Sequence, residues 1–250
     1  MITREMIVFQ AKKWLGCNEK DGSFKVIIDT YNTQKVLPRN YKMRYTDEWC
    51  ACFVSSVSIV CGATGIIPTE CSCSKMIDAH KKLGTWVEND AYIPAPGDLI
   101  LYDWQDTSGT KDNTGAVEHI GIVEMVQDGI ITIIEGNKGE AVARRKIEVN
   151  GKYIRGFIVP KYPVDIDKLA QEVLDGKWGN GAERKKALGE NYEAVQKRVN
   201  ELVAEEKLVK VAKEVIAGKW GNGLVRKAKL TAAGYNASKV QAKVNELLKG

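Results

Sequence analysis

The sequence predicts an α+β domain, in which N-terminal helices pack on an antiparallel sheet, followed by two small three-helix repeats. Three observations support this fold class. Apolar side chains recur at helical spacing early in the chain, and between residues 98 and 159 they form short strand-length runs separated by turn residues. Beyond Pro163 the spacing is helical again, and a block of residues occurs twice. The predicted units are 1–163, 164–207 and 208–250.

Two helices are predicted before the sheet. The first covers 3–15 and begins after a Thr3 cap. The second covers 49–60 and follows Thr46-Asp47-Glu48, whose side chains can cap a helix N-terminus. This second helix has Cys50 in its first turn. Its predicted buried face consists of Cys50, Phe53, Val54, Val57 and Val60.

The predicted strands are short apolar runs separated by turn residues. Asp128-Gly129 is a typical two-residue hairpin turn between two of these runs. Because consecutive strands joined by short turns pair in opposite directions, we predict an antiparallel sheet. Pro160 and Pro163 end the domain. The strands cover 99–102, 119–124, 130–135 and 153–159.

The C-terminal region is an internal repeat. The block 170–181 recurs as 212–223, an offset of 42 residues, and the offset grows to 45 towards the end of the second copy. Each copy is predicted to form a helix, a glycine-rich turn and two further helices, with small loop insertions between them. Duplication of a module raises the effective concentration of a weak binding site, which favours a repetitive polymeric ligand.

The composition, with 44% hydrophobic and 28% charged residues, is typical of a globular protein. The formal net charge is +5, and the whole excess lies in 164–250. A basic face suits an anionic polymer such as cell wall or nucleic acid, although a solvated lysine-rich helix surface is the simpler alternative. No apolar run approaches the ~18 residues of a membrane span, and residues 1–10 lack the features of a signal peptide. We therefore expect synthesis in a cytoplasm and no membrane insertion.

The six cysteines are expected to be free thiols in a chain of this length without a leader. Cys71-Ser-Cys73 has no second Cys or His pair at zinc spacing, so no metal site is predicted. His80, the nearest imidazole in the sequence, is expected to be an exposed helix residue.

One set of residues suggests catalysis. A cysteine at a helix N-terminus, such as Cys50, gains thiolate character from the helix dipole and from a nearby imidazolium. His119 begins a strand after the turn-prone residues 112–115, and Glu135 or Asn137 could orient its ring. Cys50 alone would more simply be buried and inert, and His119 alone a structural residue. Together they are typical of a nucleophile, a base and an orienting group.

The segments around these residues resemble the CHAP (cysteine, histidine-dependent amidohydrolase/peptidase) family. The match consists of Trp49-Cys50-Ala51-x-Phe53-Val54, 96–100, 119–123 and Ile134-Glu135-Gly136-Asn137, in the order of the family. The resemblance implies a papain-like fold in which Cys50 attacks a peptidoglycan amide and His119 acts as base and then acid. It also implies that Glu135 orients His119, with Asn137 as a supporting polar residue. Backbone N–H groups at the start of the Cys50 helix, aided by a side chain such as Asp47, would form the oxyanion hole. No calcium-binding acidic run is found, and no cofactor is predicted.

The repeats resemble the CW-seven cell-wall-binding repeat of lysins, through Gly-Lys-Trp-Gly-Asn-Gly and the later Arg, Tyr and Val-Gln-x-x-Val-Asn positions. This resemblance implies binding to the glycan and stem peptide of peptidoglycan. For Trp178 and Trp220, packing in a small core is the alternative to ligand contact. The wall-binding residues implied are Lys177, Trp178, Gly179, Asn180, Arg184 and Tyr192 in the first copy, and Lys219, Trp220, Gly221, Asn222, Arg226 and Tyr235 in the second.

These resemblances predict an endolysin, made in the cytoplasm of a host bacterium, that acts on the cell wall after release. Its partner is peptidoglycan, and no nucleic acid is expected. The scissile bond is left open between the N-acetylmuramoyl-L-alanine amide and a peptide bond of the stem or crossbridge. A non-catalytic wall-binding protein and a general cysteine protease are the two alternative functions.

Overall fold

A computed structural model describes residues 2–105 and 115–249, and the chain divides into two compact units, Met1–Pro163 and Val164–Gly250. The first unit contains both helices and a sheet, whereas the second contains helices. The turn predicted at 112–114 lies outside the described residues. Among the described helices, none is both long and apolar enough to cross a membrane.

The first unit begins with helices α1 to α4. The cap predicted for α1 is confirmed, since the Thr3 hydroxyl accepts a hydrogen bond from the backbone N–H of Met6. The helices α2 and α4 were not predicted. The four helices are Arg4–Lys13 (α1), Lys25–Asn32 (α2), Cys50–Val60 (α3) and Cys73–Lys82 (α4), and a short 3-10 helix lies at Pro38–Asn40.

Helix α3 is buried on almost all sides, from Cys50 to Ser58. Its serine hydroxyls are satisfied inside the core by backbone carbonyl oxygens, as in the hydrogen bond from Ser55 to the Glu70 carbonyl (2.6 Å). Two predictions for this helix are wrong. Val60 is 51% exposed, and the residue at the N-cap is Trp49, with no side-chain cap.

A six-stranded antiparallel sheet follows, in the order β1-β6-β2-β3-β4-β5, which confirms the predicted α+β class. The predicted Asp128-Gly129 turn is confirmed by its positive φ angles of 51° and 76°. The edge strands β1 and β5 were not predicted. The strands are Trp86–Val87 (β1), Leu99–Tyr102 (β2), His119–Gln127 (β3), Ile130–Glu135 (β4), Ala143–Glu148 (β5) and Ile154–Ile158 (β6).

The sheet packs against the helices through one face. Leu99, Leu101 and Ile122 contribute to the core shared with the helices, whereas Ile100 and Val123 belong to a second cluster on the other face. This alternation follows from the pleat, which sends successive side chains to opposite faces. A side chain at Gly136 would overlap Phe53 of α3, so the end of β4 lies directly against the start of α3.

The expectation that His80 is exposed is wrong. Its side chain is fully buried on α4, on the same helix face as Met76 and Ile77. The ring Nδ1 forms a hydrogen bond of 2.7 Å with the Thr85 hydroxyl. Burial lowers the pKa of His80 to about 4, so this imidazole is a neutral core residue at physiological pH.

In residues 164–249, which the structure describes, the second unit contains five α-helices and two small cores. The sequence suggested loops between all helices, but α7 is continuous over Tyr192–Ile216 and supplies its first half to one core and its second half to the other. Residues 203–210 contain neither glycine nor proline, so nothing in them ends the helix. The other helices are Ile166–Leu174 (α5), Gly181–Leu188 (α6), Gly223–Ala232 (α8) and Ala237–Leu247 (α9), with a 3-10 turn at Gly189–Asn191.

Candidate active site

Cys50 is the first residue of α3, at the end of the helix where backbone N–H groups are free to act on a negative charge. The residue is 7% exposed, its sulfur lies 3.6 Å from that of Cys73, and interactions with the His119 side chain and the backbone N–H of Ala51 also lower its pKa. A cysteine in this position is both buried and surrounded by donors, which suits a thiolate.

His119 is the first residue of β3 and pairs in the sheet with Tyr102 of β2. Its Nε2 lies 3.2 Å from Oε2 of Glu135, the last residue of β4. Since Glu135 occupies Nε2, the ring nitrogen left for Cys50 is Nδ1. The adjacent strands β3 and β4 therefore place the imidazole between the thiol and the carboxylate, in the order expected of a nucleophile, a base and an orienting group.

The pKa values of the three groups favour an ion pair. The hydrogen bond with Cys73 and that with His119 hold the pKa of Cys50 well below its usual value, although burial opposes this. Burial alone would lower the pKa of His119, but hydrogen bonds with Cys50 and Glu135 raise it to about 9. Burial also opposes ionisation of Glu135, yet hydrogen bonds from His119 and Arg145 keep its pKa below the usual value. The three shifts thus all favour the charged forms, a thiolate, an imidazolium and a carboxylate.

Arg145 on β5 is a part of the site that sequence reasoning missed. Its Nε donates to both oxygens of Glu135, at 2.7 Å and 3.0 Å, and the Glu135 side chain is completely buried. The guanidinium carbon lies 4.6 Å from the centroid of the Trp104 ring, which itself stacks on Tyr102. Arg145 is thus a second charged partner that holds the carboxylate in place. The run 143–148 has few apolar residues, so no sequence signal marked it as a strand beside the site.

The structure does not bring Asn137 to the imidazole. Its amide nitrogen instead donates to Glu48, two residues before Cys50. Asn137 thus ties the end of β4 to the segment that leads into α3. Asp47 is also engaged elsewhere, because its carboxylate accepts hydrogen bonds from the backbone N–H and guanidinium of Arg44 (2.8 Å each). A carboxylate bound in this way has no proton to give to an oxyanion, which removes the expected aid from Asp47.

A second thiol lies beside Cys50. The sulfur of Cys73, the first residue of α4, is 3.6 Å from the sulfur of Cys50. Hydrogen bonding to Cys50 and burial raise the pKa of Cys73 well above its usual value, so Cys73 stays protonated and can donate to the thiolate. No pattern in the sequence indicates this contact, which depends on the packing of α4 against α3. Among the described residues, no group of three or more His, Cys, Asp or Glu side chains is arranged to hold a metal ion.

In the C-terminal unit, the predicted arginines hold the glycine-rich turns closed. Arg184 donates to the Gly179 carbonyl (2.8 Å) and to Oδ1 of Asn180 (2.9 Å). Its third contact, with Oε1 of Gln196, joins the turn to α7. The equivalent contacts in the second copy join Arg226 to Gly221, Asn222 and Gln241. Both repeats therefore contain the same polar network around the arginine.

The predicted tryptophans are half-buried at the edges of the two cores. The indole N–H of Trp178 donates to Glu172 (3.1 Å), and that of Trp220 donates to Glu214 (3.0 Å). Trp220 also meets Tyr235 edge-on, whereas Tyr192 lies under the ammonium group of Lys185. Part of each tryptophan side chain therefore packs against a core, and contact of the tryptophans with a ligand stays a prediction. Lys177 and Lys219 are exposed.

Comparison with protein-family models identifies a CHAP domain at residues 40–137 and a CW_7 repeat at each of 167–203 and 210–248. The first match includes Cys50, His119, Glu135 and Asn137. The other two include all of the predicted wall-binding residues. Searches of curated proteins and of solved structures found no match. A CHAP domain implies peptidoglycan hydrolase activity, and CW_7 repeats imply binding to the cell wall.

Proposed function

Since the chain carries a CHAP domain followed by two CW_7 repeats, we propose that it is a cysteine-dependent peptidoglycan hydrolase that cuts an amide bond of the cell wall. The observation that carries the proposal is the row formed by Cys50, His119 and Glu135 inside the CHAP match. A general cysteine protease would use the same three groups, but it would have no need of repeats that bind the cell wall. Origin from a phage and synthesis in a host cytoplasm stay predictions from the sequence.

The chemistry proposed begins with the thiolate. Cys50 Sγ attacks the carbonyl carbon of the scissile amide, and backbone N–H groups at the start of α3 stabilise the oxyanion. The His119 imidazolium donates its proton to the leaving amine, whose departure leaves a thioester on Cys50. His119 then takes a proton from water, which attacks the thioester, releases the carboxylic acid and restores the Cys50 thiolate beside the His119 imidazolium. Glu135 keeps the imidazole oriented through both steps.

The bond and the activity can be tested together on purified Gram-positive sacculi, by mass spectrometry of the fragments that the protein releases. The proposal expects fragments with new amino ends paired with new carboxyl or muramoyl ends, and these ends distinguish an amidase from an endopeptidase. A His119→Ala variant, which lacks the proton donor, serves as the blank. Equal fragments from both proteins would remove His119 from the reaction. Cleavage of casein without release from sacculi would favour the general protease.

The pH dependence of hydrolysis is a further prediction. His119 must be protonated for the ion pair to exist, and its pKa is raised to about 9. The rate at low substrate concentration should therefore stay high through neutral pH and fall as pH rises through about 9. On the acid side the rate should fall only below the lowered pKa of Cys50.

Initial rates on dye-labelled sacculi between pH 4 and pH 10 measure this profile. Binding of an inactive variant to the same sacculi at each pH corrects for any loss of wall binding. A basic limb near the ordinary histidine pKa of about 6.5 would contradict the ion pair.

A further inference from the structure

The contact between Cys50 and Cys73 favours the Cys50 thiolate, but the hydrolysis described above gives Cys73 no chemical step of its own. Both residues are the first of their helices, α3 and α4, and both are almost fully buried, at 7% and 8% exposed. Their sulfur atoms are 3.6 Å apart. A disulfide requires a sulfur separation of about 2.0 Å, so the two sulfurs need to approach each other by roughly 1.6 Å. Rotation of the two side chains must supply this movement.

Among the described residues, no other pair of cysteine sulfurs forms such a contact. The Cys61 thiol donates to the Met6 carbonyl (3.5 Å), and the Cys71 sulfur accepts from Arg39 (3.1 Å). Cys52 is directed towards the Ile27 carbonyl. The contact between two thiols therefore distinguishes Cys50, the proposed nucleophile, from these three cysteines.

We propose that Cys73 is a resolving thiol for Cys50, and that a hydroperoxide converts the two into a disulfide that stops hydrolysis reversibly. This inference rests on the proposed function of Cys50 as the nucleophile. It makes the active site a site of reversible oxidation, which a thiol reductant returns to the active form.

The reaction proceeds in two steps. The Cys50 thiolate attacks one peroxide oxygen and the O–O bond breaks, which leaves a sulfenic acid on Cys50 and, after protonation, a water molecule or alcohol. The sulfur of Cys73 then attacks the sulfur of Cys50 and the S–O bond breaks. The departing hydroxide takes the Cys73 proton and leaves as a second water. Two thiols are thus oxidised by two electrons in total, and the hydroperoxide is the group reduced.

The electrostatics of the pair fit this division of roles. Hydrogen bonds with Cys73 and His119 lower the pKa of Cys50, which makes Cys50 the thiol that meets the oxidant. Cys73 has a raised pKa and stays a thiol until Cys50 has become an electrophile. A resolving thiol in contact also competes with further oxidation of Cys50 to sulfinic acid, which thiol reductants do not reverse.

The test compares full-length wild type, Cys73→Ser and Cys71→Ser during prolonged exposure to excess hydrogen peroxide, followed by dithiothreitol. Hydrolysis of sacculi and non-reducing peptide mapping are measured before and after the reductant. Wild type should lose roughly tenfold or more of its activity, yield linked peptides containing Cys50 and Cys73, and regain most of its activity with dithiothreitol. Cys73→Ser should instead gain oxygen atoms at Cys50 and regain much less of its own starting rate. Cys71→Ser, the matched control two residues away, should behave as wild type.

Two results would overturn the proposal. One is recovery of Cys73→Ser as complete as that of wild type, and the other is linkage of Cys50 to a cysteine other than Cys73. Peptide mapping detects the disulfide whether or not the reduced protein cuts sacculi. Failure of the proposed hydrolase function would therefore be seen separately, as a reduced wild type that releases no fragments.

Discussion

A Cys50→Ala variant is expected to release wall fragments at least about 1000-fold more slowly than wild type, because the site then has no nucleophile and His119 loses its partner. Binding to sacculi should be unchanged, since we attribute wall binding to the repeats beyond residue 163. The measurement is the initial rate of fragment release, together with the amount of variant that sediments with sacculi. Separation of the two properties is the result expected of an enzyme with an independent anchor.

The matched control is Cys52→Ala, the same change two residues along α3. Cys52 is fully buried, but its sulfur is directed towards the Ile27 carbonyl and away from the site. Its loss should lower stability by about 1 kcal/mol through the small cavity left behind, with the rate of hydrolysis kept within a few-fold. Equal losses of rate in both variants would indicate general damage to α3. Full activity in Cys50→Ala would remove Cys50 as the nucleophile.

The parts of the fold that the sequence predicted are those with a strong apolar pattern. Strands β2 and β4 have the predicted bounds, and β3 begins at the predicted His119, because each is an apolar run beside a turn. Strand β5 was missed since it is an edge strand whose residues are mostly charged, and such strands depend on their neighbour for their conformation. The two-residue β1 exists only through its pairing with β6.

The candidate site divides in the same way. Cys50, His119 and Glu135 were predicted because each stands at the start or end of an element, next to residues that resemble a known family. Arg145 and Cys73 were not, because their relevance comes from contacts that the packed fold creates. The contact of Asn137 could not be predicted either. The sequence places Asn137 near Glu135, but it does not show that the Asn137 side chain turns to Glu48.

Glu135→Gln is expected to lower the rate by roughly 100-fold to 10,000-fold, because the amide keeps the shape of the side chain but removes the negative charge beside His119. The pKa of His119 should then fall from about 9, since the carboxylate is one of the groups that raise it. In rate measurements the basic limb of the pH profile should therefore move to lower pH. Thermal unfolding of the variant measures how much of the loss comes from the fold.

Two further variants decide whether this effect belongs to Glu135. Arg145→Gln leaves the contact between Glu135 and His119 in place, so its rate should fall less, by roughly tenfold, and its basic limb should not move to lower pH. Asn137→Ala should also have the smaller effect, because its amide contacts Glu48 and not the imidazole. If Asn137→Ala lost as much activity as Glu135→Gln, with the same shift of the basic limb, Asn137 would be the orienting residue in the working enzyme. A Glu135→Gln profile unchanged in rate and pH would show that the buried carboxylate only supports the sheet.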